Sequence, residues 1–383
     1  MSAAAALPTD HAAGLWVQPR PGQTLAGLQR QLFDWLASHG LEERRVLCHA
    51  DESGHGLRLR LTPEALAAWA PGFDTLELAA TLRRDGDSDD AALAREIVVA
   101  MLAAPQPMAF DGMDELQARV GVRGHIVRAA ARTALAFRTD DAAERPADFW
   151  HYDEEHGFLL HEGRPLIDAL RAATQPEATG RRYDFSCYRA TEYVILLGIA
   201  QELALRNPAL LEAVTRASRR RAIRSGAFHE VFLTEFGSLA QPVPPRYYVP
   251  GARVWFRNPH AGSADVEGYE GSWVIYLGGG RFSNFWQRER PYGLDDKCVE
   301  IHHWRHGVEA DADGALRMNE GVVERRTAAT LAHPARRAAV LARMQRLRDP
   351  QGVYAAGGCI DATREFPRPL CPGTSTIALP ALA

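Results

Sequence analysis

Residues 181–200 read Arg181-Arg182-Tyr183-Asp184-Phe185-Ser186-Cys187-Tyr188-Arg189-Ala190-Thr191-Glu192-Tyr193-Val194-Ile195-Leu196-Leu197-Gly198-Ile199-Ala200. A polar, arginine-rich loop ends at Ser186, a residue type that caps helices, and an apolar helical pattern then runs to about Ala204. Cys187 therefore falls in the first turn of a buried helix. Unpaired N–H groups and the helix dipole at that end favour a thiolate over a thiol. A cysteine so placed suits covalent catalysis. It equally suits a small apolar residue at the start of a core helix, since free cysteines are among the most buried residue types.

The rest of the composition narrows the classes. The 383 residues are long enough for two domains or more, and the net charge of −4 gives no global basic field for nucleic acid. No apolar run reaches the length of a membrane span, and residues 1–8 lack the basic and apolar regions of a secretory signal. The expected location is cytoplasmic, or outside the cell by a route without a signal peptide. The five cysteines (Cys48, Cys187, Cys298, Cys359 and Cys371) are odd in number and show no CxxC spacing, so no zinc ribbon is signalled. Cys359 and Cys371 are near enough in sequence to bridge a C-terminal loop under oxidising conditions. Lys297 is the only lysine among 44 cationic side chains, a bias that GC-rich codon usage explains.

Outward from the cysteine, the chain divides into three stretches. Residues 1–104 read as a small α+β unit. It has a helix over 23–38, strands over 45–49 and 56–61, and a helix begun by Thr62-Pro63. A third strand over 76–82 and a helix capped by Asp89 or Asp90 complete it. The Ala104-Pro105-Gln106-Pro107 segment marks its end. Residues 105–310 carry a helix over 113–136, a hairpin over 149–161, the cysteine helix, a strand-like alternation over 228–236 and a strand over 252–256. A hairpin through Gly278-Gly279-Gly280 follows; these glycines join strands and do not open a helix, so they do not read as a phosphate loop. His151, His156 and His161 match no metal-ligand spacing, and no metal or other cofactor is expected. Arg219-Arg220-Arg221 reads as a solvated helix end. Residues 311–383 read as an extension with an extended stretch, one amphipathic helix over 334–347 burying Ala338, Val340, Leu341, Met344 and Leu347, and a loop-rich tail.

The order Phe185-x-Cys187 at a helix start, Phe256-Arg257-Asn258-Pro259, then Gly271-x-x-Val274-Ile275-x-Leu277-Gly278 resembles the bacterial spore-type transglutaminase family. The upstream Arg123-x-x-Ile126-Val127-x-Ala129-Ala130 fits as well, and the similarity spans about residues 105–310. The resemblance implies an α+β fold: a papain-like, NlpC/P60-related core with the additional small N-terminal α+β domain. It implies acyl transfer or deamidation on a protein substrate with an exposed glutamine, through a thioester on Cys187. At the positions where the family carries a glutamate before the nucleophile, a glutamate on the hairpin strand and a histidine on the return strand, this chain has Ser186, Ser272 and Asn284. Glu270, two residues from Ser272 and so on the same strand face, is then the candidate base. Asn284 is the candidate orienting residue, and Ser272, Trp273 and Trp286 are candidate substrate contacts. Glu267, Asp265, His229 and His302-His303 are further candidate bases. The rival readings are a cysteine hydrolase of the same fold and a silent binding module. A delivered effector, whose N-terminal domain binds a carrier or target, is a further one.

Overall fold

The computed structural model describes residues 12–137, 144–349 and 357–380, so residues 1–8, read for an export signal, lie outside the described residues. The N-terminal part builds on helix Leu25–Ser38, which starts because the Thr24 hydroxyl accepts the Gly27 N–H at 3.1 Å. Its Leu28, Leu32 and Leu36 repeat every fourth residue and bury one stripe. They cover a four-stranded sheet in the order Val46–Ala50, Leu57–Leu61, Leu15–Val17, Met108–Phe110. The fourth strand runs parallel to Leu15–Val17, and the other pairs are antiparallel.

The stretch expected as a strand over 76–82 is instead a helix, Leu78–Leu82. Leu78 and Leu82 are one helical turn apart and both face the core, a spacing that also passes for alternation in so short a run. Helix Asp89–Leu102 is capped by Ser88, whose hydroxyl accepts the Ala91 N–H at 3.2 Å, rather than by Asp89 or Asp90. Those two acids fall in the first turn, where they complement the dipole. The N-terminal core continues without a break into Phe236, Val243, Tyr247 and Val249. Buried Glu96 extends that junction: it accepts the Gly279 N–H at 2.8 Å and lies 3.4 Å from the Tyr276 hydroxyl.

The second sheet has six antiparallel strands in the order Tyr292–Gly293, Arg281–Phe282, Gly271–Gly278, Arg253–Arg257, Arg364–Pro367, Leu233–Phe236. Helices Met113–Arg132 and Cys187–Arg206 pack against one another and against strand Gly271–Gly278. Their close approach depends on Gly198, where an added Cβ would stand 2.4 Å from Ile126 Cγ1 and 2.9 Å from its main-chain nitrogen.

Three segments depart from the sequence reading. The run over 228–236 divides into helix Gly226–Phe232 and strand Leu233–Phe236, because Phe228, Val231 and Phe232 share a helical face that buries together. The extended stretch after residue 311 contains a helix, Glu320–Leu331, and the helix from Pro334 ends at Met344 with only Met344 fully buried. Val340, Leu341 and Leu347 are half-buried, and Ala338 is exposed. The segment read as a loop-rich tail supplies Arg364–Pro367, a strand in the interior of the sheet. Cys359 lies 3.4 Å from Cys298, sulfur to sulfur, while the Cys371 thiol points to the Asp114 carbonyl at 3.5 Å, so the bridge considered between Cys359 and Cys371 does not form.

Candidate active site

Cys187 is the first residue of helix Cys187–Arg206. Ser186 is the cap, with its hydroxyl accepting the Arg189 N–H at 3.2 Å. Asp184–Phe185 pairs in parallel with Ala136–Phe137 just before the cap, so the chain enters the helix from a fixed direction. The thiol faces strand Gly271–Gly278. The main-chain N–H groups of Trp273 and Tyr188 lie beside the sulfur and favour its charged form.

The aromatic walls beside the thiol interlock. Tyr188 meets Trp273 edge-on with ring centroids 5.2 Å apart, and Trp273 stacks on Trp255 at 5.5 Å. The Arg253 guanidinium lies 4.7 Å from the Trp273 ring centroid and 5.0 Å from that of Tyr188. Arg253 is 1% exposed, a position a cation tolerates only with a partner, and it is ion-paired to Glu365. Glu365 in turn holds His229 Nδ1 at 2.7 Å. His229 thus belongs to the Glu365–Arg253 network and does not line the cysteine cavity.

In front of the thiol is a cavity of about 640 Å³. Ser272, Asn284 and Trp286 line it with Cys187; helix Leu294–Trp304 and helix Glu320–Leu331 close its far side. The structure therefore gathers three of the expected residues around the cysteine. Asn284 shapes the wall, with its amide committed to the loop that follows. Its Nδ2 donates to the Arg290 carbonyl at 3.0 Å, and its Oδ1 accepts from Trp286 and Gln287 N–H at 3.3 and 3.1 Å. Trp273 presents its main chain to the sulfur and its ring to Trp255 and Arg253.

Glu270 stands just before strand Gly271–Gly278, exposed and outside the residues lining the cavity, yet near enough for its charge to oppose ionisation of the thiol. Asp265 is exposed, Glu267 is exposed, and neither lines the cavity. His302 and His303 lie behind the wall, and His303 Nε2 is 2.7 Å from the Thr330 hydroxyl. Burial, together with the charges of Arg305 and neighbouring histidines, lowers His302 to about 3 and His303 to about 4. Both are therefore neutral at physiological pH. With His306 they bring three ring nitrogens within 4.8 Å of one another, but among the arginines that depress them a cation is poorly placed.

Two opposing effects set the state of Cys187. The helix start and the two N–H groups favour a thiolate; burial disfavours it and is the larger, so the thiol is pushed above its ordinary value. The depression expected from the helix dipole alone is thereby overturned. The strongest side-chain charge on the favourable side is Lys297. Sequence reading gave the single lysine to codon bias; its solitude among so many arginines was the available signal.

Among the described residues no helix is long and apolar enough to cross a membrane. No curated protein is similar enough to match. Among solved structures, a transglutaminase from Geobacillus stearothermophilus (without C-terminal extension) is 19% identical, covering 56% of this chain and 97% of that one at a TM-score of 0.37. A sequence profile described as protein-glutamine gamma-glutamyltransferase matches residues 78–365, beginning within the N-terminal unit and ending on the strand that carries Glu365. That match spans three quarters of the sequence, and the chain belongs to the protein-glutamine gamma-glutamyltransferase family.

Proposed function

We propose that this protein transfers the γ-glutamyl group of protein-bound glutamine through a thioester on Cys187. The observation that carries the reading is the position of the cysteine: first residue of a core helix and open to a cavity, with the Trp273 and Tyr188 N–H groups beside its sulfur. The finer fold reading is papain-like, a cysteine helix packed on an antiparallel sheet, with the N-terminal α+β unit, read as residues 1–104 but extended by strand Met108–Phe110, as an accessory. In this mechanism the Cys187 sulfur loses its proton and attacks the glutamine γ-carbonyl carbon. The carbonyl oxygen becomes an oxyanion, which N–H donors at the helix start stabilise. Collapse breaks the C–N bond; the nitrogen leaves as ammonia after gaining a proton, and the acyl group stays on sulfur. A primary amine then displaces the sulfur to give an amide, or water displaces it to give glutamate.

Residues Ser272 and Trp286 form the wall against which the glutamine side chain lies in this reading. Glu270 is proposed as a carboxylate at the rim that accepts the proton in exchange with solvent, with its exposure permitting that role. One observation favours a second reading, a binding module with a slow thiol: burial outweighs every group that lowers the Cys187 pKa.

Ammonia release from a glutamine-rich protein, with and without a primary amine, separates the two. Transferase chemistry predicts release that Cys187→Ala abolishes, with amine incorporated into the substrate. Absence of release from the intact protein between pH 7 and 9 would overturn the transferase reading.

A further inference from the structure

We propose that Lys297 is the fixed cation of the cysteine site, a positioning residue whose ammonium holds negative charge on the Cys187 sulfur across the cavity they share. The inference rests on the reading of Cys187 as nucleophile, and four observations lead to it. Lys297 is the only lysine in a chain whose other forty-three cationic side chains are arginine. It is 2% exposed, in the first turns of helix Leu294–Trp304, and it lines the same cavity as Cys187. Its Nζ is 3.1 Å from Glu300 Oε2 and 3.5 Å from the Tyr292 ring centroid. Its charge is the leading side-chain influence that favours ionised Cys187.

A buried ammonium ordinarily sheds its proton, because burial disfavours the charge. Here burial pulls in that direction, but Glu300 and Tyr292 more than reverse it and raise the Lys297 pKa. The group is therefore a permanent cation and a poor amine nucleophile. The ammonium thus stands between the Tyr292 ring and the Glu300 carboxylate at the cavity wall, and it is its charge that the site uses.

The other charges near the thiol do not duplicate this role. Glu270 opposes ionisation. Asp296 accepts the Gly293 N–H at 2.9 Å, Glu300 is engaged by Lys297, and Glu320 accepts the Tyr269 hydroxyl at 2.8 Å. Glu324 and Arg290 are exposed at the cavity surface. Arg253 packs behind Tyr188 and Trp273 and is neutralised by Glu365. The Cys187 proton passes through cavity water towards the Glu270 carboxylate at the rim, and the ammonium keeps its own.

The test is the pH profile of iodoacetamide alkylation at Cys187 in the full chain, read by peptide mapping. It compares the wild type with Lys297→Met, Lys297→Arg and the double variant Lys297→Met with Glu300→Gln. The double variant removes both charges and leaves no unpaired carboxylate, so it carries the comparison where the single methionine variant does not fold. Loss of this cation is expected to raise the Cys187 midpoint by about one pH unit, slowing alkylation at pH 8 about tenfold. Lys297→Arg should recover most of that rate, a rescue that a purely packing role would not give, and Cys48 serves as the unmoved internal control. Folded methionine variants with the wild-type Cys187 profile would overturn the inference, as would an arginine variant as slow as methionine. Ammonia release measured in parallel separates the two ideas. A shifted profile in a protein that releases no ammonia would preserve the ion pair and sink the transferase reading.

Discussion

Replacing Glu96 by glutamine should stabilise this protein in a pH-dependent way, and the structure fixes the size and sign. Glu96 is 4% exposed on helix Asp89–Leu102, where Oε1 accepts the Gly279 N–H at 2.8 Å and the Tyr276 hydroxyl stands 3.4 Å away. Burial drives its carboxyl from 4.5 to about 7, and those two hydrogen bonds offset only part of the effect. Because the folded pKa lies above the unfolded one, the folded protein retains a proton that the unfolded chain has already released. The resulting stabilisation is complete below about 4.5 and is lost as pH rises through about 7. Taken at about 1.4 kcal/mol per pH unit, the loss is about 3 kcal/mol. Glutamine keeps an oxygen acceptor for the same donors and never ionises. Urea denaturation followed by tryptophan fluorescence, at pH 5 and pH 8 and constant ionic strength, measures the consequence. Glu96→Gln should exceed the wild type by about 1 kcal/mol at pH 5 and by about 3 kcal/mol at pH 8. A variant no more stable at pH 8 than at pH 5, relative to wild type, would refute the argument that burial dominates at this junction.

Three further outcomes are expected. Glu365→Gln leaves the buried Arg253 guanidinium without its counter-charge and should cost about 3 kcal/mol, read as a lower urea midpoint; an unchanged midpoint would mean that Arg253 finds another acceptor. Asn284→Ala removes three hydrogen bonds from the 284–290 loop and should cost about 2 kcal/mol while reducing ammonia release. Full activity in that variant would show that the cavity wall does not need the loop fixed. Ser272→Glu places a carboxylate in the cavity and should increase ammonia release about tenfold or more if proton transfer limits the reaction; equal or lower release would mean that it does not.

Much of this site is written in local sequence. Ser186 before an apolar run specifies the cap, and the cap specifies where Cys187 falls. The Gly271–Gly278 strand and its three-glycine turn are equally legible, since alternation and turn chemistry are local properties. Short apolar runs were not, because 78–82 and 226–232 satisfy two periodicities at once, and only the availability of a sheet edge or a core face decides between them. The titration of Cys187 departs from the sequence expectation for a different reason. Helix polarity is visible in a sequence, but the degree of burial that outweighs it depends on Trp273 and its neighbours, which come from a strand more than eighty residues away. Lys297 and Glu365 lie further still along the chain, the first in a helix, Leu294–Trp304, that the sequence reading does not place, the second in a stretch read as tail.

The late strand explains why the site cannot be assigned to the cysteine helix alone. Arg364–Pro367 lies between Arg253–Arg257 and Leu233–Phe236, so the sheet has a gap until nearly the whole chain is in place. Glu365 on that strand neutralises Arg253, and Arg253 supports the Tyr188 and Trp273 rings that flank the thiol. The same two residues give the N–H groups that favour charge on sulfur. A chain lacking this strand would bury Arg253 unpaired, at a cost of several kcal/mol, directly behind the groups that must hold the cysteine. The position of Cys187 is therefore set by residues 186 and 187, but its surroundings are set by residues 253, 273, 297 and 365, which converge only when the sheet closes.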